Sequence, residues 1–446
     1  MNNKKSKTNK GKQGNKVVKS RVIKKIVLKN FKRFEKFEVD FDDKINILIG
    51  DNESGKSTIL QAIDIVLSGS AYKVENIGLE NLFNHKAVDD FMNSGDRKYE
   101  ELPKLLIELY LGEQDDENMN GKNNTKNELC DGLKLICEAD DRFSKEVTEI
   151  LKTQKSIFPF EYYFIRFETF SGEAYKGHRE YLKHIVVDNS AMSSEYSMKE
   201  YVKNIYNAKL QVTEKLTNQY KYRKLKKIVK NIIFKSLNDR LSEDNYCFAL
   251  KTSPKSNLET DLTIFENDIS IDNKGKGRQC LIKTEMALQG SQGDLDIVLI
   301  EEPENHLSHI NMQKLINGIL KAEDRQIFIA THSDLISSRL DLRKTILLNS
   351  SGIKSLQLKD IEEDTARFFM KAPNNNILQF ILSKKVILVE GPSEYILMEA
   401  MYKKIAGEEL SKSDVHIIAV GGIIFKRYLD LAKILNIKTA VITDND

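Results

Sequence analysis

The eight residues from Gly50 to Ser57 constrain this 446-residue chain more than any other stretch. Their sequence, G-D-N-E-S-G-K-S, fits the pattern G-x-x-x-x-G-K-[ST] without a departure. It lies between an apolar run of strand length (45–49) and a segment with apolar side chains at helical spacing (57–67). In such a unit the glycines allow backbone N–H groups to face a phosphate. We therefore predict an α/β fold with a phosphate-binding loop (P-loop) for ATP and Mg²⁺, whose contacts come from Gly50, Asn52, Ser54, Gly55, Lys56, Ser57 and Thr58.

Two later strand-like segments end in side chains that complement such a loop. One apolar run, 297–300, leads into a pair of glutamates, and another, 327–330, leads into a Thr-His-Ser sequence. Because the carboxyl ends of parallel strands share one edge, these groups are expected beside the phosphates. The predicted roles follow the chemistry of phosphoryl transfer. Ser57 and Glu301 are predicted to hold Mg²⁺, and Glu302 is predicted to position or activate the attacking water. His332 is predicted to sense the γ-phosphate.

A second group of carboxylates lies near the C-terminus. Three apolar runs, 386–389, 415–420 and 439–442, are separated by helical segments, and this β-α-β-α-β order predicts a small parallel sheet. Several carboxylates at one sheet edge cannot all stay ionised without a compensating cation. Oxygen ligands favour Mg²⁺ or Mn²⁺, and such sites serve phosphodiester cleavage. The predicted metal ligands are Glu390, Glu394, Asp444 and Asp446, with Glu390 also catalytic.

Composition restricts the cellular setting. Charged residues make up 30% of the chain and hydrophobic residues 40%, and no apolar run reaches the roughly 20 residues that cross a bilayer. The polar, basic N-terminus has no hydrophobic stretch of the secretory kind. Four cysteines are scattered without a C-x-x-C pair, which argues against a zinc site and a disulfide framework. We expect a cytoplasmic protein that does not engage a membrane.

Basic residues are concentrated in two places. Residues 1–34 contain no acid, and the first twenty are expected to be disordered, as a solvated extension or as an arm that attracts phosphates. A second cluster, 221–235, carries seven Lys or Arg residues without an acid. It is either a solvated helix exterior or a DNA-phosphate contact, and the neighbouring chemistry favours DNA. The apolar residues of this segment are predicted to form the inward face of a helix. They are Leu225, Ile228, Val229, Ile232 and Ile233.

The order of these motifs resembles the ABC-type ATPase heads of the SMC, RecF and OLD (overcoming lysogenisation defect) families. The P-loop is followed by Glu-Glu-Pro-Glu-Asn-His-Leu at 301–307 and by Thr-His-Ser at 331–333. Residues 26–34 are similar to the opening strand of those heads. The resemblance implies that two heads sandwich two ATP molecules, with residues 304–307 at the interface between the heads.

In these families a signature segment of one head caps the nucleotide of the other. The best match here is Gly-Lys-Gly-Arg-Gln at 275–279, just before a predicted helix at 281–289. The resemblance implies that Gly277 and Gln279 contact ATP. The segment lacks the serine of the transporter-type L-S-G-G-Q, which disfavours a transporter ATPase.

The C-terminal motifs resemble the Toprim domain of topoisomerases, primases and OLD nucleases. They are Glu-Gly-Pro-Ser-Glu at 390–394, Val-Gly-Gly at 420–422 and Thr-Asp-Asn-Asp at 443–446. Their amino-acid sequences are most similar to those of OLD nucleases. The resemblance implies an ATP-dependent DNA endonuclease, a homodimer through its heads or a higher homo-oligomer, and a role in antiphage defence with a partner protein. Family nucleases continue past D-x-D with a further strand and a basic residue, so the Toprim unit is expected to be incomplete here.

The predicted organisation has three parts. Residues 1–20 form the basic tail, 21–372 form an ABC-type head with a helical insertion at about 170–240 for dimerisation or DNA contact, and 373–446 form the N-terminal part of a Toprim domain with a Rossmann-like parallel sheet. Two alternatives stay open. One is an ATP-operated DNA sensor or clamp whose inactive Toprim unit controls a partner effector. The other is a RecF-like repair ATPase, against which the Toprim motifs count.

Overall fold

The structure, a computed structural model, describes most of the chain between residues 21 and 443. The tail 1–20, most of the connector at 372–376, and the aspartates Asp444 and Asp446 lie outside the described residues, so their predicted roles stay predictions. Within the described part, no helix is long and apolar enough to cross a membrane. The positions between 21 and 443 that are not described are 115, 154–156, 177–180, 191–194, 242–247, 251–257, 290–294, 323, 349–354, 372–375, 408, 411–412, 414 and 423.

Seventeen strands are present in the described residues. In chain order they are β1 (Ile23–Phe31), β2 (Phe34–Asp40), β3 (Ile45–Gly50), β4 (Leu105–Leu111), β5 (Asn120–Gly121), β6 (Cys130–Ala139), β7 (Tyr163–Thr169), β8 (His184–Asp188), β9 (Phe265–Glu266), β10 (Ile269–Ser270), β11 (Ile297–Glu301), β12 (Gln326–Ala330), β13 (Thr345–Leu348), β14 (Ser355–Gln357), β15 (Lys385–Val389), β16 (Val415–Ala419) and β17 (Lys438–Ile442).

Fifteen α-helices accompany these strands in the same described residues. They are α1 (Lys56–Ser68), α2 (Ala71–Ile77), α3 (Leu79–Leu82), α4 (His85–Met92), α5 (Ser144–Leu151), α6 (Glu195–Lys209), α7 (Val212–Ile233), α8 (Lys235–Leu241), α9 (Lys276–Leu288), α10 (His309–Lys321), α11 (Asp334–Arg339), α12 (Glu363–Lys371), α13 (Ile377–Leu382), α14 (Pro392–Ala406) and α15 (Phe425–Leu435).

The central sheet brings the predicted nucleotide motifs to one edge. Its strand order is β14-β13-β3-β12-β11-β8, with all pairs parallel except β13–β14. The P-loop strand β3 therefore lies beside β12, and β12 lies beside the strand that carries the glutamates. In the register of β11, Glu301 is opposite Ala330 on one side and Asp188 on the other. The carboxyl ends of β3, β12, β11 and β8 thus converge.

Helix α1 lies between two sheets. One is the central sheet, and the other is antiparallel, with the order β2-β1-β4-β6-β5 and with β7 on β6. The sequence pattern predicts a single apolar face on this helix, but seven of its hydrophobic residues are at most 4% exposed because both sheets cover it. Burial on two sides holds the end of α1 that carries Lys56 in a fixed position.

The C-terminal segment forms the predicted parallel sheet. Its order is β16-β15-β17, so the strand that precedes Glu390 is central. This sheet is joined to the ATPase part by one continuous hydrophobic core, in which Ile336 of α11, Phe380 of α13 and Tyr428 of α15 are at most 2% exposed. The ring of Phe369 packs edge-on against Tyr428, with centroids 5.1 Å apart.

The predicted helical insertion at about 170–240 differs from the structure in two respects. Helices occupy 195–241, and α6 buries Tyr201 and Ile205 against the central sheet, but the first part of the predicted range contains the strand β8, which pairs with β11. The apolar residues of α7, however, do not face inward: Leu225 is 59% exposed and Ile232 is 70% exposed. The prediction of a buried face on α7 is wrong for the single chain, because no described element packs over that side.

Candidate functional site

Lys56 is held at the mouth of the P-loop, between β3 and α1. Its side chain is 6% exposed, and its Nζ donates hydrogen bonds to the carbonyl oxygens of Gly50 at 2.8 Å and Asp51 at 3.0 Å. Burial lowers the pKa of Lys56, and the charge of Glu302 acts in the opposite direction. Helix α1 begins without an acid in its first turn and without a side-chain cap, which suits a helix end that receives a phosphate.

Both P-loop glycines are required by close packing. A Cβ atom on Gly50 would lie 2.5 Å from the carbonyl oxygen of Leu348. Gly55 has a φ of 100°, in the left-handed region, and a Cβ there would lie 2.5 Å from the ring of Phe34. The loop therefore follows its path only with glycine at these two positions.

A cavity of about 360 Å³ opens over the P-loop, and we call it the nucleotide cavity. It brings together three motifs that are far apart in sequence. Lys32 and Arg33, in the turn between β1 and β2, also line it, and they were not predicted. The predicted residues in its lining are Asn52, Ser54, Gly55, Lys56, Ser57, Thr58, Glu301, Glu302 and His332.

Glu301 lies in an electrostatic environment that a divalent cation would relieve. Burial raises the pKa of Glu301, and the nearby charges of Asp188 and Glu302 raise it further, while a hydrogen bond from Ser57 lowers it. Ser57 and Glu301 both line the nucleotide cavity, and the oxygen atoms of their side chains are of the type that Mg²⁺ prefers. These two residues fit the predicted Mg²⁺ site of ATP.

The loop after β11 holds Glu302 in an unusual backbone conformation. Glu302 has a φ of 46°, in the left-handed region that non-glycine residues seldom adopt. Asn305 Nδ2 donates to Glu302 Oε2 at 2.6 Å, and the Asn305 backbone N–H donates to the Glu302 carbonyl at 3.1 Å. Strained residues that neighbours hold in place concentrate at functional sites. Asn305 thus orients the carboxylate predicted to act on the attacking water.

Glu304 links the loop of the glutamate motif directly to the histidine motif. Its Oε1 accepts hydrogen bonds from Thr331 Oγ1 at 2.9 Å and from the His332 backbone N–H at 2.6 Å. The same loop therefore positions His332 beside the P-loop. Sequence reasoning assigned Glu304 only to an interface between heads, whereas in the structure it anchors the histidine strand end.

The tip of β8 supplies a further polar group that the sequence did not reveal. The Asn189 backbone N–H donates to the Glu301 carbonyl at 3.2 Å, and Asp188 precedes it next to Glu301. Asn189 is 1% exposed, and neither polar atom of its side chain has a hydrogen-bond partner in the described part of the chain. No motif marks this strand, so only its place in the sheet identifies Asn189.

The candidate signature segment lies outside the nucleotide cavity of its own chain. Helix α9 begins at Lys276, five residues earlier than predicted, so the segment forms the first turn of the helix. Gln279 Nε2 donates to the carbonyls of Asp272 and Lys274. The structure therefore does not bring Gly277 and Gln279 to the P-loop of the same chain, and their predicted ATP contact stays a prediction about a second copy.

Gly277 has a structural role that can be tested. A Cβ atom at this position would lie 2.2 Å from the carbonyl oxygen of His306, so Gly277→Ala has to displace α9 or the loop after β11. We expect a loss of about 1–3 kcal/mol of folding free energy, measured by urea denaturation. Gly275→Ala is the matched control, because a Cβ there meets nothing within 4 Å. Equal stability of the two variants would contradict the close approach.

The C-terminal sheet presents two carboxylates at one edge. Glu390 directly follows the central strand β15, and its carbonyl accepts hydrogen bonds from the N–H groups of Gly421 at 2.9 Å and Gly422 at 3.2 Å. Glu394 lies in the first turn of α14, where a Cβ on Gly391 would be 3.1 Å from Glu394 Oε2. Neither carboxylate forms an ion pair within the described residues. All-oxygen groups of this kind fit Mg²⁺ or Mn²⁺.

The fold and the nucleotide cavity together define a P-loop ATPase, with a Toprim-like parallel sheet after it. Residues 22–336 match the AAA ATPase domain family, and residues 381–446 match the Toprim domain of overcoming lysogenization defect-like proteins. The chain belongs to the OLD family of ATPase–Toprim proteins.

Two proteins and one solved structure illustrate what this chain is similar to. The chain is similar to Old nuclease of Escherichia phage P2, at 30% identity over 34% of this chain and 28% of the relative. It is also similar to Endonuclease GajA of Bacillus cereus (strain VD045), at 24% identity over 94% of this chain and 74% of that protein. Among solved structures, the SMC head domain from Thermotoga maritima matches 73% of this chain and 94% of that domain, at 14% identity and a TM-score of 0.32.

Proposed function

We propose that this chain is an OLD-type ATP-dependent DNA endonuclease of antiphage defence, in which the ATPase head controls a metal-dependent Toprim site. The observation that carries the proposal is the position of Glu390 and Glu394. They lie at the carboxyl edge of a parallel sheet that shares one core with a P-loop ATPase. A carboxylate edge of this type suits phosphodiester hydrolysis, and the attached head supplies a nucleotide-dependent control.

In the proposed ATPase reaction, each side chain of the nucleotide cavity has a separate task. Lys56 and the N-terminal end of α1 bind the phosphates, and Ser57 with Glu301 holds the Mg²⁺, which supplies charge compensation at the phosphates. Glu302, oriented by Asn305, accepts a proton from the attacking water. His332, whose backbone is anchored by Glu304, is placed to contact the γ-phosphate.

At the Toprim site, Glu390 and Glu394 would hold a divalent cation together with Asp444 and Asp446. Such a cation supplies Lewis-acid activation of a phosphodiester. Glu390 extends from the most buried strand of the sheet, since Leu388 and Val389 are fully buried. Its backbone is fixed by the Gly421–Gly422 turn, so the carboxylate starts from a rigid position.

A hydrogen bond joins the segments that follow and precede the two sites and supports control by ATP. Asp334 lies two residues after His332, and its Oδ1 accepts a hydrogen bond from the Leu378 backbone N–H at 3.1 Å. Leu378 belongs to α13, which leads into β15 and Glu390. Arg427 of α15 also donates to Thr365 of α12 at 2.7 Å. A shift of the His332 segment on nucleotide binding is thus transmitted to the Toprim sheet.

The proposed partners are DNA and a second copy of the chain, with higher homo-oligomers included. The exposed apolar side of α7, which contains Leu225, Ile228 and Ile232, supports self-association because large exposed apolar faces mark interfaces. The seven basic residues of 221–235 lie on the same segment and support contact with DNA phosphates. A separate defence partner and a cytoplasmic location complete the proposal.

The decisive experiment is plasmid cleavage with Mg²⁺ or Mn²⁺, with and without ATP. It is carried out on this chain and on a version that extends beyond Asp446. We expect nicking or linearisation that requires the divalent cation and that changes with ATP. If neither protein cuts any DNA, but both hydrolyse ATP and protect cells from phage, the chain is instead an ATP-operated switch with an inactive Toprim unit.

A further inference from the structure

A second cavity of about 500 Å³ lies at the C-terminal end of α1, whereas the nucleotide cavity is at its N-terminal end, and we call it the basic cavity. Its walls come from α1, α2, β8, α6, α7 and α9, and it shares no lining residue with the nucleotide cavity. Four lysines contribute to the lining. A cavity of this volume is in the range that binds small molecules.

Lys283 is the most unusual of these lysines. It is 2% exposed, on α9, and no hydrogen bond or ion pair of its ammonium group is present within the described residues. Its Nζ lies 5.5 Å from the centre of the Tyr201 ring, and the Tyr201 hydroxyl donates to the Lys283 carbonyl at 2.6 Å. Burial lowers the pKa of Lys283. A buried ammonium group that forms no ion pair is costly even with the charge of Asp188 nearby, so the site favours an incoming anion.

The remaining charges of the cavity leave this ammonium available. The negative charge of Asp64 is already compensated, because His184 Nε2 lies 3.0 Å from its Oδ1 and Lys73 forms an ion pair with its other oxygen. Burial alone would raise the pKa of Asp64, but these two partners lower it to about 2. The other charged groups in the lining are the cations of Lys183, Lys215 and Lys283 and the acids Asp188 and Glu200.

We propose that the basic cavity binds a small phosphorylated ligand, with a phosphate group seated on the Lys283 ammonium. The cation of Lys215, on α7, lies at the same cavity and adds to the attraction. Charge-assisted hydrogen bonds from lysine to phosphate are strong when the site excludes water. The ligand would bind separately from ATP, since the two cavities have no lining residue in common.

The position of Asp188 gives this ligand a route to the ATPase site. Asp188 lines the basic cavity, and it is also the register partner of Glu301. Its charge raises the pKa of Glu301 and that of Lys283 as well. In this proposal Asp188 is the residue that links a ligand of the basic cavity to the ATPase site.

The test uses inorganic pyrophosphate as the probe and calorimetry as the readout. Lys56→Ala is introduced first, so that the P-loop no longer binds the probe. We expect one pyrophosphate per chain in this background, and at least about a tenfold loss of affinity when Lys283→Met is added. Methionine retains an unbranched, apolar side chain one atom shorter than lysine, and thermal unfolding verifies that the variant folds.

Lys203→Met in the same background is the matched control. Lys203 is an exposed lysine of α6 that does not line the basic cavity, and its ion pair with Glu259 is on the surface. We expect its affinity for pyrophosphate to stay within about twofold of the parent, as for other surface charges. Absence of binding in the Lys56→Ala protein, or equal binding in the Lys283→Met and Lys203→Met variants, would overturn the proposal.

Discussion

Glu302→Gln is expected to reduce the rate of ATP hydrolysis by about 10²–10⁴-fold, the usual contribution of a positioned general base. The substitution keeps the size of the side chain and its hydrogen bond with Asn305, but it removes the basic oxygen. ATP binding should persist, because Lys56, Ser57 and Glu301 are unchanged. Steady-state phosphate release and equilibrium binding of a fluorescent ATP analogue measure the two effects separately.

Glu285→Gln provides the control for this experiment. Glu285 lies on α9, where its backbone carbonyl accepts the hydrogen bond that ends the helix, and its side chain does not line the nucleotide cavity. Its ATPase rate should equal that of the unaltered chain. A Glu302→Gln protein that hydrolyses ATP within about threefold of the unaltered rate would exclude Glu302 as the base, since such a base contributes far more.

Glu390→Gln is expected to reduce metal-dependent DNA cleavage by at least about a hundredfold, because it removes the charge of a proposed metal ligand. The amide retains the volume of the carboxylate at the tip of β15, so the fold should persist. ATP hydrolysis should be nearly unaffected, since the nucleotide cavity contains no residue of the C-terminal sheet. Plasmid nicking at several Mg²⁺ or Mn²⁺ concentrations is the measurement.

Glu399→Gln is the matched substitution on the same unit. Glu399 is an exposed residue of α14, one turn beyond Glu394, and it is remote from the strand ends. Cleavage by this variant should match that of the parent protein. If Glu390→Gln still cuts DNA at the parental rate, the Toprim carboxylates do not form the nuclease site.

The glutamate and histidine motifs could be predicted because each is a local pattern. A P-loop needs glycines at two positions, a lysine and a serine, and an apolar strand that ends in Glu301-Glu302 is recognisable within a few residues. The pattern of apolar residues also predicted the parallel C-terminal sheet, since short apolar runs of strand length alternated with segments of helical spacing. Such features arise from backbone and side-chain chemistry within one element.

Other features depend on neighbours that are distant in sequence. Lys32 reaches the nucleotide cavity only because the β1–β2 hairpin folds over the P-loop, and Asn189 is important only because β8 pairs with β11. The apolar pattern of α7 was correct as a helix pattern, but it could not tell whether a partner element covers that face. In the described chain none does, so Leu225 and Ile232 are exposed.

The amino-acid sequence by itself determined the class of the protein, the residues of the P-loop and the order of its two chemical units. The tertiary structure alone decided which distant groups share a cavity. It placed Asp188 beside Glu301 and in the same cavity as the buried Lys283, and it joined Asp334 to Leu378. The reason is physical: motifs record local backbone geometry, whereas burial and electrostatic coupling depend on which strands and helices become neighbours when the core forms.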